Sequence, residues 1–131
     1  MSSFLDAANG TRSYARINHY DRVKEVRSNY HILAGTTVAR VLFNGTDAVG
    51  VEYLPSAGGD VSQVAANKEV LLAAGGVHTP QVLQLSGIGP RARLETLGIE
   101  TVSDLPGVGQ NLQDHATLTI SYNCKKSAAR S

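Results

Sequence analysis

The chain has 131 residues, of which 42% are hydrophobic and 18% are charged, and its formal net charge is +1. This composition is typical of one soluble globular domain, and the length is sufficient for a single core. The balanced charge excludes the electrostatic footprint of a nucleic-acid-binding protein or of a protein that binds anionic membranes. The single cysteine, Cys124, excludes an intrachain disulfide framework and a cysteine-based zinc site.

The amino-terminal segment is small and polar, and it lacks the apolar stretch of a signal peptide or a membrane anchor. We therefore expect a cytoplasmic location for the chain as written, although a longer parent protein could be secreted. Residues 13–27 carry apolar side chains at helical steps, which predicts a helix with Ser13 as its N-cap.

Residues 30–72 contain short β-rich runs separated by turn sequences. Because short links between alternating strands favour antiparallel neighbours, residues 38–64 predict a β-meander. The run at residues 69–74 is apolar without alternation, which predicts a buried strand in a sheet that is covered on both faces.

Two short helices are predicted after this strand. Gly75-Gly76 would end the strand, Thr79 would cap the first helix, Pro80 would be its first residue and Gly87 its stop.

The second helix would begin at Pro90, point Leu94 and Leu97 inward, and end at Gly98. A turn is predicted at residues 105–109.

Residues 117–122 alternate and predict a last strand, and residues 125–131 are expected to be a disordered tail. No repeat and no long linker divides the chain, so residues 1–131 predict one domain. The predicted fold class is α/β, or an α+β mixture, with a meander, a buried strand and short helices.

Residues 75–90 are the segment richest in chemical signals. A strand that leads through glycines into a helix exposes backbone N–H groups and the positive end of a helix dipole, which suits a pyrophosphate. The same glycines would equally allow a strand and a helix to pack closely, and both interpretations fit the residues.

This segment resembles the second signature of the glucose-methanol-choline oxidoreductases, in which a glycine precedes Ser/Thr-Pro, a Leu-rich turn and Ser-Gly-Ile-Gly. The residues that match this pattern in order and spacing are Thr79-Pro80, Val82-Leu83 and Ser86-Gly87-Ile88-Gly89-Pro90. Gly76 departs conservatively, since the family usually has Ala, Ser or Thr there. Flanking matches at residues 36–41, 48–51, 68–70 and 104–115 extend the resemblance over about residues 9–115.

The resemblance implies part of an FAD-binding domain. It implies that Val38 contacts the adenine of FAD through its backbone, and that Ala74 and Gly75 lie near the dinucleotide. A valine in the core of a meander strand is an alternative interpretation of Val38. The complete enzymes of this family oxidise an alcohol or sugar CH–OH group by hydride transfer to the flavin.

His115 follows Asp114, and a carboxylate can orient a histidine for acid–base chemistry. Adjacent side chains usually point apart, however, and the catalytic histidine of the resembled family lies far downstream, so a structural role is favoured. His78, just before Thr79-Pro80, is a third weak catalytic candidate. No His, Asp or Glu spacing predicts a metal site.

The sequence lacks the Gly-x-Gly-x-x-Gly turn and the late catalytic histidine that the family uses. Three hypotheses follow. The leading one is a fragment or truncated relative of an FAD-dependent alcohol or sugar oxidoreductase, not redox-active alone. The others are a free-standing non-redox enzyme (isomerase, cyclase or dehydratase) acting on a small molecule, and a non-catalytic binding subunit. Either would hide its apolar faces in a homodimer or against a partner chain.

Overall fold

The computed structural model describes residues 5–6 and 10–121. These residues form a mixed α/β arrangement with one antiparallel sheet, short helices and one parallel strand pair. The elements in chain order are a π-helical turn (Arg16–Tyr20), β1 (Thr36–Asn44), β2 (Asp47–Pro55), β3 (Ser62–Ala65), α1 (Gly75–Leu85), β4 (Ile88–Gly89), α2 (Arg91–Thr96) and β5 (Ser103–Asp104).

The predicted meander is confirmed. β1, β2 and β3 form a three-stranded antiparallel sheet in that order, so β1 is an edge strand. Val41, Val51 and Val64 lie directly opposite one another across the three strands, which places their side chains on one face. The register of β1 shifts between Val38 and Arg40, a β-bulge that bends this edge locally.

Helix α1 covers one end of this valine row. Val41 on β1 and Val82 on α1 are buried, with 5% and 9% of their surfaces exposed, whereas Val64 at the far end is 50% exposed. Leu94 of α2 is fully buried. The described residues therefore bury a small core and leave many apolar side chains exposed, such as Leu71 (79%) and Leu118 (83%).

The Ser-Gly-Ile-Gly segment that follows α1 is held to a later segment by backbone hydrogen bonds. The carbonyl oxygen of Gly87 accepts from the N–H groups of Val102 (2.8 Å) and Ser103 (3.1 Å), and that of Gly89 accepts from Leu105 (3.0 Å). Gly87 has φ +84°, and a Cβ at this position would lie 2.5 Å from the carbonyl oxygen of Glu100. Only glycine fits this backbone conformation and this close approach.

The predicted helix at residues 13–27 is wrong over most of its length, because a π-helical turn at Arg16–Tyr20 is followed only by turns. Ser13 does not cap it: its Oγ accepts a hydrogen bond from Asn18 Nδ2 at 2.6 Å. None of the five residues of this turn is buried. A short helix without a packed apolar face is marginal in water, which explains the difference.

The predicted buried strand at residues 69–74 is also wrong for this chain. The segment forms no strand, and Leu71 is 79% exposed. A strand that is apolar on both faces needs neighbouring strands and covering layers, and the described residues supply neither at this segment. The predicted strand at residues 117–122 is likewise absent from residues 117–121. Residue 122, Cys124 and the predicted tail at residues 125–131 lie outside the described residues.

Helix α1 begins four residues before its predicted cap. The chain turns at Gly75, where φ is +83°, and Ala74 is the N-cap residue. Thr79 lies inside the helix, where its Oγ1 accepts from the N–H of Ala74 at 3.1 Å, and Pro80 is also internal. The glycine turn therefore determined the start of the helix, and the Thr-Pro pair did not.

The second helix begins after Pro90 as predicted, buries Leu94 and ends before Gly98, where φ is +69°. The predicted inward position of Leu97 is wrong, since this side chain is 60% exposed at the C-cap. The predicted turn at residues 105–109 is confirmed at residues 106–109.

Replacing Gly87 by alanine tests the close approach between the two segments. We expect Gly87→Ala to lower the free energy of unfolding by about 1–3 kcal/mol, because the new Cβ meets backbone and the residue must keep a positive φ. Urea unfolding monitored by circular dichroism measures this change. The control is Gly107→Ala, where a Cβ would have no neighbour within 4 Å. An equal loss in both variants would contradict the packing described for Gly87.

Glu52 on β2 carries a second testable interaction. Arg40 donates to its two carboxylate oxygens at 3.1 and 3.2 Å, and Gln63 donates at 3.2 Å. The bonds from Arg40 first, and then that from Gln63, hold the pKa of Glu52 below its ordinary value. A lowered pKa means that the pair stabilises the fold above the ordinary pKa of glutamate. This contribution is lost as the pH falls through the lowered pKa of the folded state.

Removing the guanidinium should therefore raise the pKa of Glu52. We expect Arg40→Gln to raise it more than Gln63→Ala does, because Arg40 is the larger cause of the shift. Titration of the Glu52 carboxyl carbon by NMR measures both values. An unchanged midpoint in Arg40→Gln would show that the ion pair does not form in solution.

Candidate functional site

A cavity of about 440 Å³ lies between β1 and α1. This volume is within the range of small-molecule sites in proteins. One wall is the amino-terminal half of β1 and the other is one face of α1. The residues that line it are Thr36, Thr37, Val38, Ala39, Ala74, His78, Gln81, Val82 and Leu85.

The spacing of the lining residues follows from the two elements that supply them. Residues 74, 78, 81, 82 and 85 recur at helical steps, so they share the face of α1 that meets β1. Residues 36–39 are consecutive because the cavity runs along the outer edge of β1, away from β2. An edge strand presents backbone N–H and C=O groups that no neighbouring strand pairs. The cavity therefore combines the outer main-chain edge of β1 with a helical wall of small, apolar, amide and imidazole side chains.

Ser86 lies just beyond this cavity, directly after the last residue of α1. Its Oγ accepts a hydrogen bond from the backbone N–H of Val41 at 2.8 Å and donates to the carbonyl oxygen of Val82 at 2.6 Å. Ser86 is 6% exposed, so both bonds are shielded from water. Leaving the N–H of Val41 unpaired at such a site would cost about 1–3 kcal/mol. One hydroxyl thus joins the edge of β1 to the last turn of α1.

His78 and Gln81 form the polar part of the helical wall. The distance from His78 Nδ1 to Gln81 Oε1 is 2.9 Å. An amide oxygen only accepts, so Nδ1 carries the proton in this contact. Nε2 is then the second polar atom of the ring, and it accepts a hydrogen bond when the ring is neutral.

The structure brings most of the predicted cofactor residues together. Val38 and Ala74 line the same cavity from opposite walls, and Gly75 follows Ala74 at the first position of α1. Val38 is 41% exposed, which is not the burial expected of a core valine. His78, predicted as a weak catalytic candidate, also lines this cavity.

Asp114 and His115 lie elsewhere, in an exposed segment without secondary structure. The Oδ1 atom of Asp114 accepts from the backbone N–H of His115 at 2.7 Å. The carboxylate therefore binds the main chain of its neighbour, and the carboxylate–imidazole contact that an acid–base pair requires is not formed. Neither residue lines the cavity that contains His78.

Comparison with known families identifies the chain. The family model described as GMC oxidoreductase matches residues 3–117. The chain belongs to the GMC oxidoreductase family. A dehydrogenase named xptC from Emericella nidulans is 64% identical over 118 residues, which is 90% of this chain and 19% of that protein. An oxygen-dependent choline dehydrogenase from Pseudomonas putida is 47% identical over 116 residues, 88% of this chain and 20% of that protein.

Solved structures agree with this assignment. An FAD-dependent oxidoreductase from Chaetomium thermophilum matches with a TM-score of 0.77 and 59% identity, over 84% of this chain and 19% of that one. A fungal aryl-alcohol oxidase matches with a TM-score of 0.73 and 45% identity, over 79% and 17%. This GMC chain spans about a fifth of the length of the relatives it matches.

The geometry explains the GMC signature in residues 75–90. Ser86 links helix to strand, Gly87 permits the close approach of Glu100, and Gly89 lies against Gln84, whose Cγ would be 3.1 Å from a Cβ there. Gln84 Nε2 also donates to the carbonyl oxygen of Val108 at 3.2 Å. Residues of the signature therefore have packing roles, in addition to any contact with a ligand.

The sequence did not predict several residues that line the site in this GMC chain, chiefly Gln81, Leu85 and Thr37. It also did not predict the role of Ser86, whose hydrogen bonds to Val41 and Val82 are called the clamp below. Gln81 and Leu85 share a helical face with Ala74. Helical spacing predicts this shared face once the helix is taken to begin at Gly75. Thr37 is next to Val38 on the edge strand. Only the three-dimensional contact with Val41 identifies the role of Ser86.

No group of three or more His, Cys, Asp or Glu side chains in residues 5–6 and 10–121 is arranged to hold a metal ion. Within the same residues, no helix combines the length and hydrophobicity needed to cross a bilayer.

Proposed function

We propose that this chain forms the adenine-side wall of an FAD site in a GMC oxidoreductase that acts on alcohols or sugars. The observation that carries the proposal is the cavity between β1 and α1, which unites Val38 with Ala74. These residues are 36 positions apart in the sequence, and resemblance to the family associates both with the dinucleotide.

The chemistry of the cavity fits an adenine nucleotide. The edge of a purine ring presents hydrogen-bond donors and acceptors in one plane, which matches the unpaired N–H and C=O groups of an edge strand. Val38 would contribute such main-chain groups, and Ala74 leaves room for a ligand because its side chain is small. Gly75 begins α1 with open space where a Cβ would be, so backbone near the positive end of the helix dipole is accessible to a phosphate.

The residues of this chain bind and orient the cofactor in this proposal. FAD, when bound, supplies the acceptor for the hydride that leaves the CH–OH carbon of the substrate. The carboxylate of Asp114 binds the backbone N–H of His115, so it does not orient the imidazole of that residue. The described residues are therefore assigned to nucleotide binding, and the acid–base step is not assigned to them.

The substrate class is proposed from chemistry shared by relatives. Choline and aryl alcohols, which the names of two relatives specify, both carry a CH–OH group. We therefore propose an alcohol or sugar substrate for the complete protein, without a choice among alcohols.

The homodimer or partner chain expected from the sequence stays a prediction. Large apolar side chains such as Leu71, Val77 and Leu112 are 79%, 64% and 72% exposed. Such exposure calls for a covering surface, but no described contact identifies what supplies it.

Filling the cavity tests the proposal directly. Leu85 lines the cavity and is 46% exposed, so a larger side chain can be accommodated there without disturbing the core. We expect Leu85→Trp to weaken AMP binding by at least about tenfold, because the indole occupies the space of the adenine. Because the parent chain contains no tryptophan, tryptophan fluorescence cannot be compared between it and the variant. Isothermal titration calorimetry measures AMP binding by both.

The matched control is Leu97→Trp, which places the same substitution at the C-cap of α2, outside the cavity. Its AMP affinity should equal that of the parent chain. Riboflavin, which lacks the adenine, should not compete with AMP. Equal AMP binding by the two tryptophan variants, or displacement of AMP by riboflavin, would refute the assigned wall.

A further inference from the structure

We propose that Ser86 is a positioning residue for the nucleotide cavity, because its hydroxyl sets the separation of the two walls. The inference rests on the proposed function, since it concerns affinity at that same site. Ser86 itself does not line the cavity. It acts through the elements that do.

The two hydrogen bonds of Ser86 lie next to the ends of both cavity walls. Ser86 lies directly after Leu85, the last residue of α1, and its partner Val41 lies two residues beyond Ala39, the last lining residue of β1. The second partner, Val82, is a lining residue. The hydroxyl therefore stands where the two walls converge.

Few side chains can replace the hydroxyl of Ser86. The position needs a group that accepts from the N–H of Val41 and donates to the carbonyl of Val82 at the same time. A hydroxyl does both, whereas alanine does neither. Among the residues that the structure describes, no second hydrogen bond joins β1 to α1.

The register of β1 is irregular next to the clamp. The register shift between Val38 and Arg40 interrupts the ladder with β2 on the amino-terminal side of Val41. Pairing with β2 resumes at Val38, and the bulge leaves Ala39 without a partner in the register. The clamp at Ser86 then becomes the contact that fixes residues 36–39 relative to α1, and its loss should widen or blur the cavity.

The experiment compares Ser86→Ala with Ser86→Thr, which keeps the hydroxyl, and with Ser62→Ala, an exposed serine on β3. All are studied below their unfolding temperatures, as verified by circular dichroism. We expect Ser86→Ala to bind AMP about tenfold more weakly and to exchange the amides of residues 36–39 faster. Ser86→Thr should recover most of both effects, and Ser62→Ala should show neither.

The outcomes separate this inference from the proposed function. Failure of the parent chain to bind AMP would refute the proposed function, while amide exchange at residues 36–39 still decides whether Ser86 positions the wall. Unchanged exchange there, or unchanged AMP affinity in Ser86→Ala, would overturn the positioning role. If Ser86→Ala does not fold, Ser86→Cys replaces it: weaker AMP binding and faster exchange than in Ser86→Thr support the inference, and equality with Ser86→Thr overturns it.

Discussion

The packing of helix α1 against the edge strand β1 is the contact on which the described structure depends. It buries Val41 and Val82, which are two of the three buried apolar side chains among the described residues. It also forms the cavity, whose lining comes from β1, from one face of α1 and from Ala74. Core and candidate site therefore belong to one interface and share Val82, and Ser86 joins its two elements by hydrogen bonds.

Glycines allow the chain after α1 to pack closely against α1 and against residues 100–108. After α1 the chain must pass close to the segment containing Glu100 and Val102, and Gly87 allows this because no side chain intervenes. Gly89 likewise leaves room for Gln84, which reaches the turn at Val108. Residues 75–90 thus combine the polar clamp at Ser86 with close contacts at Gly87 and Gly89.

Local patterns in the sequence predicted the elements whose stability is local. The meander was predicted because Asn44-Gly45 and similar turns specify hairpins between neighbouring strands. The strand at residues 69–74 was predicted wrongly because its burial depends on neighbours that the pattern does not contain. The residue types of Thr79-Pro80 predict a later start of α1 than the structure has, because Gly75, which the sequence assigns to the turn before the helix, is its first residue.

The candidate site was predictable only in part. Family resemblance identified Val38 and Ala74, yet nothing in the sequence placed them on opposite walls of one cavity. His115 attracted attention because it follows a carboxylate, but the geometry assigns that carboxylate to a backbone N–H. Adjacency in the sequence is weak evidence for an acid–base pair, because the direction of each side chain depends on the fold. Ser86 shows the reverse, since its importance arises from a contact 45 positions away.

The central claim is that the cavity between β1 and α1 holds an adenine nucleotide. The most direct measurement is a titration of the isotopically labelled chain with AMP, followed by amide chemical shifts. The account predicts saturable shifts concentrated in residues 36–39 and along the face of α1 that begins at Ala74. Shifts confined to other parts of the chain, or no saturable shift at all, would contradict it.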